Sequence, residues 1–147
     1  MKLPVQRWAA VIWEKDLLSG RGTVTTGSEA FGHFQVSWSA RTQTPEGKTS
    51  PEELLAAAHA SCFAMAFSST LAKRGTPPEE LQVKAVCSFD KVGDGWKVTT
   101  MDLEVHGRVP GIDQAQFEEA ARAGEKGCPI SNAIRNNVEI KLTAKLL

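Results

Sequence analysis

The amino-acid sequence predicts an α+β fold built as one domain over residues 1–147. Segments in which apolar and polar side chains alternate, as in strands with one buried face, flank a long helical segment. The predicted order is three strands, a helix, two strands, two helices and a strand. The chain has no internal repeat and no linker, and its length is common for a single domain.

The N-terminal part of the chain is predicted to form three strands. The first covers residues 7–14, and the turn signal Ser19-Gly20-Arg21-Gly22 leads into the second, residues 22–26. In the third, apolar Phe34, Val36 and Trp38 alternate with polar residues, and a polar loop over 42–49 follows.

The strongest helix start in the sequence is Ser50-Pro51-Glu52-Glu53, because Ser50 can cap, Pro51 fits the first helical position and Glu53 completes a capping box. The helix is predicted to run from Pro51 to about Arg74 and to end at Gly75. Residues 54–67 are nearly all apolar or small, and a helix that is apolar on every side is normally buried on every side. One sheet can cover only one side, so we expect a homodimer in which a second subunit covers the other.

A hairpin is predicted after this helix. Residues 81–90 alternate, Gly93-Asp94-Gly95 is a hairpin turn signal, and residues 96–107 form the return strand. The alternation slips between Val98 and Met101, which indicates a bulge.

Two helices and a strand complete the predicted fold. Asp113 is placed to cap a helix from Gln114 to about Lys126, with Gln116 completing a capping box. Cys128 precedes Pro129 and is expected to be the N-cap of a short third helix. Residues 138–146 alternate as a last strand.

Composition and charge narrow the classes of function. Seventeen basic residues balance seventeen acidic ones and form no basic run, which argues against nucleic-acid binding. Residues 1–8 lack the apolar core of a signal peptide, and the apolar stretch 54–67 is interrupted and too short to span a bilayer. We therefore expect a cytoplasmic protein without a membrane partner. Three cysteines without C-x-x-C spacing indicate neither a disulfide scaffold nor a thioredoxin motif.

The three cysteines have different predicted environments. Cys62 lies in the middle of the buried helix, where a cysteine can be either a core residue or a reactive one. Cys128, at a helix N-cap, lies where the helix dipole and free amide groups favour a thiolate. Cys87 alternates with apolar residues and is interpreted as core.

Two rival chemistries involve His59, which we interpret as a core histidine whose hydrogen bonds are satisfied. His59 and Cys62 could form a hydrolase dyad oriented by Asn132 or an aspartate, although nothing else supports acyl transfer. A zinc site could be assembled from histidines and cysteines across the chain, namely His59, Cys62, Cys87, Cys128 and His106. Zinc ligands usually come in close pairs, and only His59 and Cys62 form one.

Three segments of the sequence resemble the OsmC/Ohr family of hydroperoxide reductases. They are SPEELLAAAHASCFAMAF, VPGIDQAQFEEAARAGEKGCPIS and SWSARTQTPEGKT. Their order and spacing also agree with the family, and the resemblance covers nearly the whole chain. AAAHASCF and the placement of Arg41 are closer to the OsmC branch than to the Ohr branch.

The resemblance implies a role for each matching residue. Cys62 corresponds to the peroxidatic cysteine and Cys128 to the resolving cysteine, Arg41 to the arginine that holds the thiolate, and Glu52 to the glutamate that orients this arginine. Arg21 competes with Arg41, because the Ohr branch places its arginine near that turn, and we favour Arg41. The implied fold is an intertwined homodimer with its central helices at the interface.

The implied activity is thiol-dependent reduction of organic hydroperoxides and, less well, of hydrogen peroxide. The Cys62 sulfenic acid would be resolved as a disulfide with Cys128 and then reduced by a small dithiol, a lipoylated protein or a thioredoxin-like partner. No metal or organic cofactor is expected. A redox-sensing stress protein without turnover is an alternative on the same scaffold.

The position of Glu52 raises a geometric problem. Along one straight helix Glu52 and Cys62 are separated by about 15 Å, because each residue advances the helix by 1.5 Å. Either Glu52 and Arg41 serve the Cys62 of the partner subunit, or the helix is broken near its start.

Overall fold

The computed structural model describes residues 3–147, which form two compact units that meet between Pro51 and Glu52. Met1 and Lys2, which begin the segment used for the signal-peptide prediction, lie outside the described residues.

The N-terminal unit contains an antiparallel sheet of three strands in the order β1-β2-β3. The strands are β1 (Ala9–Glu14), β2 (Arg21–Thr26) and β3 (Phe34–Val36). Glu14 pairs with Arg21 at the end of the β1–β2 hairpin, and Val24 pairs with Phe34. The three predicted strands are confirmed, although β1 begins two residues later than the alternation indicated.

The prediction that Trp38 continues the third strand is wrong. Helix α1 (Trp38–Thr42) begins there, capped by Ser37, whose hydroxyl accepts the backbone N–H of Ala40 at 3.1 Å. A serine that bonds a nearby amide offers the backbone an alternative to the sheet ladder, and here that local bond ends the strand. Arg41 consequently lies on a helix and not in the strand or the loop.

The C-terminal unit is organised around α2 (Pro51–Lys73), which is continuous and is followed by Gly75 in the left-handed conformation, with φ of +83°. One stripe of this helix is buried, and it includes Phe63, Phe67 and Leu71. The opposite side is open in the single chain, where Met65 is 72% exposed.

By length and composition the whole of α2, 23 residues, could also cross a membrane, although the apolar stretch 54–67 that was judged too short to span a bilayer is only part of it. The core helix of a soluble protein passes the same test, so this property does not separate the two cases.

A mixed sheet packs beside α2. Strands β4 (Glu80–Val92) and β5 (Gly95–Arg108) form an antiparallel hairpin, and β6 (Glu139–Leu146) adds parallel to β5. Ser88 pairs with Thr100 but Phe89 pairs with Val98, which leaves an extra residue on β5. The bulge predicted between Val98 and Met101 is confirmed.

Helix α3 (Gln114–Lys126) and the short α4 (Pro129–Ile134) complete this unit. The capping box of Asp113 and Gln116 forms as predicted. The core between α2, α3 and β5 is aromatic at its centre, with the Phe67 ring centroid 5.6 Å from that of Phe63 and 5.0 Å from that of Phe117. This packing brings the end of α3, and with it Cys128, towards the middle of α2.

Candidate active site

Cys62 and Cys128, far apart in the sequence, lie side by side in the C-terminal unit. Cys62, on α2, lies next to Cys128 and to the backbone amide of Ile130, both of which act on its thiol. Cys128 is fully buried and Cys62 is half-buried, and both are free cysteines. The cysteines that the sequence selected are therefore neighbours in the fold.

The local sequence explains how Cys128 is held. Pro129 occupies the first turn of α4, and Cys128 has the extended backbone of an N-cap, as predicted. Its sulfur accepts the backbone N–H of Ser131 at 3.5 Å. The first turn of α4 thus donates to the Cys128 sulfur and has the amide of Ile130 beside Cys62.

The surroundings of Cys62 favour its thiol form. Burial raises the pKa of the Cys62 thiol, the amide of Ile130 opposes this shift, and the neighbouring Cys128 adds to it. Because the thiolate is the nucleophile, a nearby cation has to offset burial if Cys62 is to react at neutral pH.

His59 lies one turn before Cys62 and is only partly the satisfied core histidine that the sequence predicted. It is 0% exposed, and its Nε2 is 2.7 Å from the Oγ of Ser131, which is equally buried. Its Nδ1 has no hydrogen-bond partner among the described residues, so the expectation is wrong for that nitrogen. Burial lowers the pKa of His59, the charge of Glu125 acts in the opposite sense, and that of Arg135 reinforces the lowering.

Sequence reasoning missed Ser131 and proposed Asn132 instead. The Asn132 side chain accepts hydrogen bonds from Arg135, the nearer at 3.1 Å, and does not orient His59. The signal for Ser131 is the spacing Cys-Pro-x-Ser, which places the serine in the same helical turn as the capping cysteine. Ser131 and His59 have the spacing of a hydrolase nucleophile and base, but their complete burial leaves no path for a substrate carbonyl.

The remaining histidine and cysteine candidates lie elsewhere. His106 Nε2 is 2.9 Å from a carboxylate oxygen of Glu104 on the same strand. Cys87 packs against the core on β4, and burial, followed by the charge of Glu52, raises its pKa. Within residues 3–147 no three His, Cys, Asp or Glu side chains are grouped as a metal site requires.

The two candidate arginines belong to the N-terminal unit. Arg41 lies in the last turn of α1, with its guanidinium carbon 5.9 Å from the ring centroid of Trp38. Arg21 begins β2, and its Nε is 3.6 Å from a carboxylate oxygen of Glu14, with both side chains largely exposed.

Glu52 is buried in the first turn of α2. Because α2 is continuous from Pro51 to Lys73, the alternative of a break near its start is wrong. Along this helix Glu52 and Cys62 remain about 15 Å apart. Action of Glu52 on the partner subunit stays a prediction.

Comparisons with known proteins find similarity along most of the chain. The family model described as OsmC-like protein matches residues 44–143. Peroxiredoxin OsmC of Escherichia coli (strain K12) is 35% identical over 133 residues, which cover 90% of this chain and 92% of that protein. An organic hydroperoxide resistance protein of Xanthomonas axonopodis pv. citri is 28% identical over 139 residues, covering 88% and 96%.

Solved structures share the fold. An organic hydroperoxide resistance protein OsmC from Legionella pneumophila aligns with a TM-score of 0.77 at 24% identity, covering 98% of this chain and 99% of that chain. The organic hydroperoxide resistance protein OhrB of Bacillus subtilis aligns with a TM-score of 0.75 at 24% identity, covering 94% and 98%. The predicted α+β fold, with a long central helix and two small sheets, is confirmed.

Proposed function

The chain belongs to the OsmC-like protein family, and on that premise we propose that it is a thiol-dependent peroxidase that reduces organic hydroperoxides through Cys62 and Cys128. The observation that carries the proposal is the proximity of these two free cysteines. Each also lies in the sequence context that the family resemblance assigns to it.

In the first step the Cys62 thiolate attacks one oxygen of the hydroperoxide. The S–O bond forms while the O–O bond breaks, so the sulfur is oxidised to a sulfenic acid and the peroxide leaves as an alcohol after taking up a proton. Arg41 is proposed to offset the burial of Cys62 and to donate to the departing oxygen, since a guanidinium keeps its charge at any physiological pH.

In the second step Cys128 attacks the Cys62 sulfenic acid. The S–S bond forms, the S–O bond breaks, and the hydroxyl leaves as water with the proton of the Cys128 thiol. The proximity of the two cysteines supports this step, because the chain does not have to bring distant segments together. An external dithiol then reduces the disulfide and is itself oxidised.

The proposed substrates are organic hydroperoxides first and hydrogen peroxide second. Cys62 is flanked in α2 by apolar side chains that include Phe63 and Met65, and an apolar group would be favoured near it. The relative from Xanthomonas axonopodis pv. citri is named for resistance to organic hydroperoxides. A dithiol-regenerated enzyme needs a reducing compartment, so the proposal places the protein in the cytoplasm.

The proposal includes a homodimer in which Arg41 and Glu52 serve the partner's Cys62. Two features support it. The apolar side of α2 is open in the single chain, where Met65 is 72% exposed, and Glu52 and Cys62 lie far apart on one continuous helix.

The test is consumption of cumene hydroperoxide with excess dithiothreitol by wild type, Cys62→Ser, Cys128→Ser and Cys87→Ser. We expect turnover to vanish in Cys62→Ser, to be impaired in Cys128→Ser and to persist in Cys87→Ser, the matched control. Turnover that survives Cys62→Ser would refute the proposal. Consumption of a single equivalent by wild type would instead identify a redox sensor.

A further inference from the structure

We propose that His59 and Ser131 form a positioning pair that sets the approach of Cys128 to Cys62 during disulfide formation. His59 lies one turn before Cys62 on α2, and Ser131 lies in the turn of α4 that Cys128 begins. Their 2.7 Å hydrogen bond, between two side chains that are 0% exposed, joins the two helices beside the cysteines. The inference rests on the proposed function and adds two residues to its resolving step.

The short helix α4 depends on such contacts for its position. A helix of six residues has little stability of its own, so tertiary contacts must hold it. Arg135, at its C-terminal end, donates to the carbonyl oxygen of Glu125 at 3.3 Å and lies 2.9 Å from the Glu125 carboxylate. The bond between Ser131 and His59 ties its N-terminal turn to α2.

That N-terminal turn also supplies a donor to the Cys128 sulfur. The N–H of Ser131 donates to Cys128 at 3.5 Å, and the amide of Ile130, the preceding residue, lies beside Cys62. A bond that holds Ser131 in place therefore holds the Cys128 sulfur and the residue next to Cys62. Loss of this bond leaves a buried polar group unpaired, because water cannot reach it to replace the lost partner.

The consequence concerns the resolving step. The Cys128 sulfur must approach the Cys62 sulfenic sulfur so that the S–S bond forms as the S–O bond breaks and water leaves. A loosened α4 lengthens the lifetime of the sulfenic acid. A second molecule of hydroperoxide can then oxidise it to the sulfinic acid, which a dithiol does not reverse.

The variants Ser131→Ala and His59→Ala remove the bond, whereas His59→Gln keeps an amide group near the position of Nε2. His106→Ala is the matched control, since His106 lies on β5 beside Glu104, away from α4. Circular dichroism and thermal unfolding establish that each variant is folded. Ser131→Ala removes a single oxygen and keeps the proposal testable if His59→Ala does not fold.

The first readout is the equilibrium between the Cys62–Cys128 disulfide and dithiothreitol, which involves no peroxide. We expect the disulfide in Ser131→Ala and His59→Ala to be about tenfold easier to reduce, equivalent to about 30 mV, because the two thiols are less well held together. His59→Gln should recover part of this loss, and His106→Ala should match wild type.

The second readout is a single turnover with cumene hydroperoxide, followed by mass spectrometry of Cys62. We expect the rate of disulfide formation, relative to the rate of sulfenic acid formation, to fall about tenfold in Ser131→Ala. Sulfinic acid should then accumulate on Cys62 when peroxide is in excess. An unchanged ratio together with an unchanged disulfide equilibrium in folded Ser131→Ala would overturn the inference. Failure of the proposed function is separate, because wild type itself would then form no sulfenic acid.

Discussion

Gly124 of α3 lies against the backbone of Phe67 in α2, since a Cβ added to Gly124 would come within 2.9 Å of the Phe67 Cα. The absence of a side chain at Gly124 lets the two helices approach at this point. Helix α3 leads through Gly127 directly to Cys128. This contact therefore helps to determine how close Cys128 comes to the helix that carries Cys62.

Gly124→Ala should destabilise the protein. Backbone cannot yield as a flexible side chain would, so we expect a loss of about 1–3 kcal/mol in the free energy of unfolding, measured with urea. Gly127→Ala is the control, because its Cβ would meet nothing nearer than 3.7 Å and its φ of −90° suits any residue. Equal stability of the two variants would contradict the prediction.

The pH dependence of Cys62 should identify its cation. Burial raises the pKa of the Cys62 thiol, so removing the cation that offsets burial should move the titration to higher pH. We expect Arg41→Ala to shift the pH profile of Cys62 alkylation by iodoacetamide upwards, which lowers the rate at neutral pH. Arg21→Ala, the control, should leave the profile unchanged, and the reverse pattern would assign the role to Arg21.

His59 should make stability depend on pH. Burial lowers its pKa, so as the pH falls below about 6.5 the unfolded chain takes up a proton that the folded chain does not. We expect the unfolding free energy of wild type to fall between about pH 6.5 and the lower folded pKa, by at most ~1.4 kcal/mol per pH unit from this group.

In His59→Gln that contribution should vanish, so its unfolding free energy should fall less steeply over the same pH range. Glu125 and Arg135, the charged groups that act on His59, remain in both proteins. Parallel curves for wild type and His59→Gln would show that His59 takes up its proton equally in both states.

Mixed dimers test the proposal that Glu52 serves the Cys62 of the partner subunit. Glu52→Gln and Cys62→Ser homodimers should both be impaired, but a dimer of one subunit of each kind should regain about half of the wild-type peroxidase activity. The reason is that one of its two sites combines an intact Cys62 with an intact Glu52 from the other subunit. Activity no higher than that of the two parents would place Glu52 in its own subunit.

Met65→Glu should disrupt the proposed homodimer. A charge on the open apolar side of α2 costs free energy once a partner covers it, so we expect this variant to sediment as a monomer. Val92→Glu is the control, because Val92 is also exposed but lies at the end of β4. A dimer of unchanged stability in Met65→Glu would mean that this side of α2 is not the interface.

Local signals predicted most of the secondary structure. The Asp113–Gln116 capping box, the bulge in β5 and the Cys128 N-cap each depend on residues close together in the chain, and each forms as expected. The predicted end of β3 was wrong for a related reason. The alternation through Trp38 predicted a strand, but the hydroxyl of Ser37 caps a helix instead.

The sequence by itself determined the elements, the family resemblance and the selection of Cys62 and Cys128 as the pair to examine. Only the tertiary structure decided that they lie side by side and that Ser131 bonds to His59. These contacts join α2 to α4 across a long stretch of chain, and they exist because the core packs α3 against α2. Hydrophobic periodicity indicates which face of each element is buried, but it does not specify which buried groups meet.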